Sequence, residues 1–151
     1  MIYSGPINDK FLMRLIGCAD TDEKLVLNSG GGCIGVMRAA LDFLLSAEWV
    51  TVATGMCMSA AVPLVAAGSE RYATASTRFM IHNGSFDYGI LSAKESQAEG
   101  AEAVLVQTEY WAAMEKLTKK PGSWWRDQCS GGPLYFSAKQ AKLYGVIDRV
   151  L

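Results

Sequence analysis

A chain of 151 residues is long enough for one domain with a sizeable core, and its make-up, 50% apolar and 19% charged, is that of an ordinary globular protein. Its 14 basic and 15 acidic residues leave a net charge of -1, and the longest basic run is Lys119-Lys120, so neither nucleic acid nor a membrane surface is an expected partner. Cysteines at 18, 33, 57 and 129 form no C-x-x-C pair, and with a single histidine in the chain a zinc cluster is not expected; no cofactor is expected.

The start, Met1-Ile2-Tyr3-Ser4-Gly5-Pro6, lacks the basic residues and apolar stretch of a signal peptide. The longest apolar stretch, around 60–67, is too short to span a bilayer and contains Pro63. Scattered cysteines in apolar surroundings read as reduced and buried, so the expectation is a soluble, cytoplasmic protein.

The first clear element is the apolar run Leu25-Val26-Leu27, a buried strand that ends on Asn28-Ser29-Gly30-Gly31-Gly32, a glycine-rich turn. Val36, Ala39, Ala40, Phe43 and Leu44 recur at helical spacing and predict a helix over 34–45. Val50-Thr51-Val52-Ala53-Thr54 is β-branched and predicts a second buried strand, broken by Gly55. A small-residue helix follows over 59–67, and then short strands at 71–74 and 79–81. Ala101, Val104, Leu105, Thr108, Trp111, Ala112 and Met114 keep a helical period within a long segment, 92–119, which Pro121-Gly122 stops. Ser137 is a candidate N-cap for a helix ending at Tyr144, with Gly145 as its stop. Val146-Ile147 and Val150-Leu151 close the chain. Alternating strands and helices predict an α/β fold with buried, mostly parallel strands in a single domain, 1–151, with a protruding helix.

Ser59 and His82 are the residues that carry chemistry. Acyl transfer needs a nucleophile, a base and donors aimed at a developing oxyanion. Ser59 lies at a predicted strand-to-helix junction, where free backbone N–H groups favour negative charge. His82 is the sole histidine and the sole candidate base. The N–H groups of Ala60 and Gly31 are candidate oxyanion donors, and the Gly30 to Gly32 edge is a candidate strip for an extended peptide to bind in β fashion. Taken singly, Ser59 is more often a helix cap, His82 a core histidine and the glycines a turn. The glycine cluster also lacks the lysine of a phosphate loop, which excludes nucleotide binding by that motif. The functional reading gains weight because all three clusters end a predicted strand.

Five ordered segments give the chain a resemblance to the ClpP family of caseinolytic serine peptidases, from Ile2 to Leu151. Ile2-Tyr3-Ser4-Gly5-Pro6-Ile7 is similar to the family's opening strand, and Leu27-Asn28-Ser29-Gly30-Gly31-Gly32 to its I-N-S-P-G-G turn. Gly55-Met56-Cys57-Met58-Ser59-Ala60-Ala61 resembles G-x-A-A-S-M-G-A, and Arg78-Phe79-Met80-Ile81-His82-Asn83 resembles R-x-M-I-H-Q. The stretch Phe136-Ser137-Ala138 through Tyr144-Gly145-Val146-Ile147-Asp148 resembles the family's closing pattern.

The resemblance implies a ClpP/crotonase-like fold of repeated ββα units, with segment 92–119 as a handle helix that pairs two rings. It implies Ser59 as nucleophile, His82 as general base, Gly31 and Ala60 as oxyanion donors, and no metal. It also implies rings of seven, stacked as fourteen, that enclose polypeptide substrate delivered by an AAA+ unfoldase. The pattern departs at three places. An ungapped match back from Ser137 puts Pro133 where the family has its triad aspartate; Asp127 is the nearest acidic residue upstream and Asp87 follows His82. Ala60 and Ala61 replace the methionine and glycine after the nucleophile, and Asn83-Gly84 follows His82 where the family has Gln-Pro. The sequence opens almost at the entry strand, so the expectation is a short form lacking the family's N-terminal segment that meets the unfoldase. The competing expectations are a ring subunit inactive for want of the acid, and a crotonase-type acyl-CoA enzyme, which does not call for Ser59 paired with His82.

Overall fold

A computed structural model describes residues 1–18, 23–84 and 92–151. Among them the elements run β1 (Ile2–Ser4), α1 (Asp9–Ile16), β2 (Lys24–Ser29), α2 (Ile34–Leu45), β3 (Val50–Met58), α3 (Ala61–Ala66), β4 (Glu70–Ala73), β5 (Arg78–Ile81), α4 (Ala93–Leu117), α5 (Gly122–Gln128), β6 (Leu134–Ser137), α6 (Ala138–Tyr144) and β7 (Arg149–Val150). The fold is α/β, as expected. Strands β1-β2-β3-β4-β7 lie side by side and parallel, β5 pairs with β3 in parallel, and β6 pairs with β5 antiparallel.

Strand β3 organises the sheet. Its first half pairs with β4 through Val50–Ala53, and its second half with β5 through Met56–Met58. Gly55, predicted to break the strand, instead bends it and lets it continue to Met58. The bend needs φ +59 there, which a side chain rarely adopts. Asn28 holds the bend in place: its Oδ1 accepts from the Met56 N–H at 2.9 Å and its Nδ2 donates to Ser4 Oγ at 3.0 Å. A β carbon at position 55 would sit 2.8 Å from Asn28 Oδ1. By changing partners at the bend, β3 carries its end past β4 and alongside β5.

Helix ends follow the capping chemistry of their residues. Asn8 caps α1, accepting from the Phe11 N–H, and Phe11 and Leu15, one turn apart, are buried, with the Phe11 ring edge-on to Tyr3 of β1. Ser92 with Glu95, and Ser137 with Gln140, form reciprocal capping boxes at α4 and α6. The Ser92 hydroxyl and N–H donated to Glu95 hold its carboxyl below the usual range. Gly145 closes α6 at φ +82.

Helix α4 turns one apolar face inward and leaves other apolar residues in solvent. Val106, Tyr110 and Met114, four residues apart, are buried with Trp111, whereas Val104 and Leu105 are 68% and 52% exposed. The apolar residues of α4 therefore form two stripes, one buried and one exposed, with α3 and α5 packed against the helix. Elements α1, α5 and β6 were not predicted. Helix α5 and β6 meet in an aromatic cluster in which Trp125 packs on Phe136 and Tyr144, and Phe136 stacks on Phe79 of β5 at 5.3 Å. This cluster packs against β5, the strand that His82 follows.

Candidate active site

The parallel strands β2, β3 and β5 end on the same side of the sheet, the usual location of sites in α/β folds. Gly30 to Gly32 follow β2, Ser59 follows β3 and His82 follows β5. The Ser59 N–H donates to the Met80 carbonyl at 2.7 Å, so the ladder between β3 and β5 runs up to the serine itself. Ser59 Oγ and His82 Nε2 are then 2.9 Å apart, within hydrogen-bond distance for proton transfer. Both side chains are half-buried.

Ser59 has φ +51, and no other non-glycine residue described has a positive φ. Such a left-handed serine costs about 1–2 kcal/mol; here it turns the chain sharply from β3 into α3 and exposes Oγ. Gly31, at φ +98, packs against this corner: a β carbon on it would lie 2.7 Å from Ser59 Cβ and 2.8 Å from the Met58 carbonyl oxygen. That position would also be 3.3 Å from the Ala60 nitrogen, so the two candidate oxyanion donors are neighbours. No hydrogen bond within the described chain engages the Ala60 N–H. The Gly31 N–H donates to the buried Ser29 Oγ at 3.1 Å.

Ser59, Ala60, His82, Gly30 and Gly32 line one cavity of about 350 Å³, with Tyr110 of α4 forming part of its wall. Gly30 and Gly32 are exposed and Gly31 is buried. Tyr110 was missed from sequence. It lies 51 residues from Ser59, and its hydroxyl donates to the Ser59 carbonyl at 3.2 Å; no local pattern could have signalled that.

The flanks of His82 are also fixed. Cys129 Sγ donates to the Ile81 carbonyl at 3.7 Å and Asn83 Nδ2 donates to the Cys129 carbonyl at 3.1 Å. Among the described residues no carboxylate hydrogen-bonds His82. The Asp127 side chain is 70% exposed, its carboxylate is 3.6 Å from Arg126 Nε, and it is not brought onto the imidazole. Pro133 is exposed, in the turn before β6. Asp87 lies outside the described residues. Cys57, buried under the site, has its thiol pushed far above the usual range by desolvation, which suits a core residue rather than a nucleophile. No group of three or more potential metal ligands occurs among the described residues, and no helix among them is long and apolar enough to cross a membrane.

A parallel-dominated α/β sheet with a serine and a histidine paired at its strand ends, beside backbone N–H groups, brings together the kinds of group that acyl transfer requires. Comparison with known proteins gives the family. The Clp protease family model matches residues 9–151, and the chain belongs to that family. The ATP-dependent Clp protease proteolytic subunit 1 of Streptomyces avermitilis is 31% identical over 141 residues, covering 87% of this chain and 61% of the relative. Proteolytic subunit 1 of Mycolicibacterium paratuberculosis is 31% identical over 138 residues, 87% of this chain and 64% of that protein. Proteolytic subunit 2 of Mycobacterium tuberculosis shows the same identity and coverage. The chain thus spans less than two thirds of the length of these relatives.

Proposed function

We propose that the chain is a serine-type endopeptidase subunit that cleaves polypeptides through an acyl-enzyme on Ser59. The observation that carries this is the 2.9 Å contact between Ser59 Oγ and His82 Nε2 at the mouth of a cavity edged by glycines. An extended substrate lies along Gly30 to Gly32, its scissile carbonyl facing Ser59. Ser59 Oγ attacks the carbonyl carbon as His82 Nε2 takes its proton. The carbonyl oxygen becomes an oxyanion facing the Ala60 N–H and the Gly31 N–H, the latter once it leaves or shares the Ser29 hydroxyl. The C–N bond then breaks and His82 returns the proton to the departing amine. Water enters, gives a proton to His82, and its oxygen displaces Ser59 from the acyl carbon, regenerating the hydroxyl.

The whole of 1–151 serves as one peptidase domain in this account, working in the cytoplasm. Its exposed Val104 and Leu105 on α4 supply an apolar face for pairing with further copies in rings. The named relatives are subunits of ATP-dependent proteases, which supports an AAA+ unfoldase as partner.

The test is active-site labelling of the intact assembled protein with a fluorophosphonate. Label is expected on Ser59, absent in Ser59→Ala and strongly reduced in His82→Ala; an unlabelled wild type would overturn the assignment. One observation favours a second reading, a slow or inactive ring subunit: no carboxylate among the described residues orients His82. Labelling of Ser59 without turnover of a peptide would select it.

A further inference from the structure

Three features of the α4 side of the site bear on one peptide unit. Ser59 holds φ +51 without the freedom of glycine. Its carbonyl accepts two hydrogen bonds, from the Val62 N–H at 3.0 Å and from the Tyr110 hydroxyl at 3.2 Å. The amide on the other side of that carbonyl belongs to Ala60, whose N–H no hydrogen bond in the described chain engages.

In a planar trans amide the C=O and N–H point in opposite directions. A group that pins the Ser59 oxygen therefore sets where the Ala60 N–H points. Donation into the oxygen also polarises the amide and strengthens its N–H as a donor. Tyr110 is suited to both tasks. It is 5% exposed, its ring is held edge-on against Trp111 at 4.9 Å, and burial pushes its phenol far above the usual range, so it stays a neutral donor.

We infer that Tyr110 is a positioning residue for the oxyanion donor: its hydroxyl grips the Ser59–Ala60 peptide from behind and aims the Ala60 N–H at the reacting carbonyl. The role presupposes the acyl-enzyme chemistry at Ser59 given above and adds to it a residue from the long helix. In this role the Tyr110 hydroxyl acts through the Ser59 carbonyl and not on the reacting atoms. An oxyanion contact matures only in the transition state, so a misaimed donor lowers kcat and leaves KM alone.

Tyr110→Phe deletes only the hydroxyl, and the Val62 N–H still satisfies the Ser59 carbonyl, so the fold is expected to persist. Hydrolysis of a fluorogenic peptide, with activity normalised to the folded fraction, should show kcat reduced about tenfold and KM within about twofold, a smaller loss than removal of an oxyanion donor itself. The inhibition constant of a peptide boronate, which forms a tetrahedral adduct on Ser59, should rise by the factor by which kcat/KM falls. Tyr110→Met, apolar and also lacking the hydroxyl, should match Tyr110→Phe. Unchanged kcat in Tyr110→Phe would overturn the inference, as would a raised KM at constant kcat, or a loss confined to Tyr110→Met, which would reveal packing alone. A wild type that neither turns over peptide nor takes up fluorophosphonate would remove the peptidase assignment and this role together. Wild-type turnover with an unaltered Phe variant would remove this role alone.

Discussion

Ser59 and Gly31 occupy one another's space, and the chemistry of each depends on the fit. A methyl group on Gly31 would collide with Ser59 Cβ and with the Met58 backbone oxygen, at a φ that disfavours any side chain. Gly31→Ala is therefore expected to slow fluorophosphonate labelling of Ser59 at least about a hundredfold, the scale of one lost oxyanion donor. Circular dichroism would confirm that the sheet survives, and near wild-type labelling would show that the corner does not need this contact. Asp127 makes a contrasting prediction. Its carboxylate is exposed beside Arg126, so Asp127→Asn should change the labelling rate by less than about twofold, against about four orders of magnitude for loss of a working triad acid. A fall of the larger size would place the acid at Asp127 after all.

At the scale of elements, Arg71 is the fastener between sheet and helices. Its Nη1 donates to the Leu117 carbonyl at the end of α4 and to the Gly145 carbonyl after α6, both at 2.8 Å, while Nε and Nη2 donate to the Asp148 carboxylate at 3.1 and 2.6 Å. The hydrogen bonds from Arg71 hold Asp148 below the usual carboxylate range. A carboxylate with a lowered folded value stabilises the fold fully above its unfolded value, about 3.9, and that contribution fades as pH falls through the folded value. The gap in urea midpoint between the wild type and Asp148→Asn should be present at pH 7 and shrink as pH falls below about 4. A gap of constant size would show that the carboxylate charge does not contribute.

The elements also show why some of the chain was legible in sequence and some was not. Strands β2, β3 and β5 announce themselves as apolar runs, and Ser59, His82 and the glycines stand at their ends, so the site's two side chains were readable from order alone. The β3 bend was not, because it depends on Asn28 reaching across from β2 to a backbone N–H 28 residues away. Helix α5 and β6 carry weak periodic patterns and are fixed by an aromatic cluster assembled from three distant segments. The apolar stripe of α4 was read correctly as helical, but its period does not reveal which face turns inward.

For the molecule as a whole, the second stripe of α4 leads to a statement about assembly. Val104 and Leu105 are large apolar side chains left in water by the chain alone, and self-association through them is the proposed remedy. Sedimentation should give a mass several times the 16.3 kDa of the chain. Val104→Glu with Leu105→Glu should shift it toward the single-chain mass without unfolding it. An unchanged assembly in the double variant would place the interface elsewhere.

Ser59 and His82 act as one unit in the proposed mechanism, and a peptidyl chloromethyl ketone interrogates both residues at once. Its carbonyl is attacked by a serine while its methylene carbon alkylates the imidazole with loss of chloride. Peptide mapping by mass spectrometry of the assembled wild type should find His82 alkylated, with the modification lost in Ser59→Ala although His82 remains. Alkylation of His82 at the same rate in Ser59→Ala, or none in the wild type, would contradict a working Ser59–His82 pair.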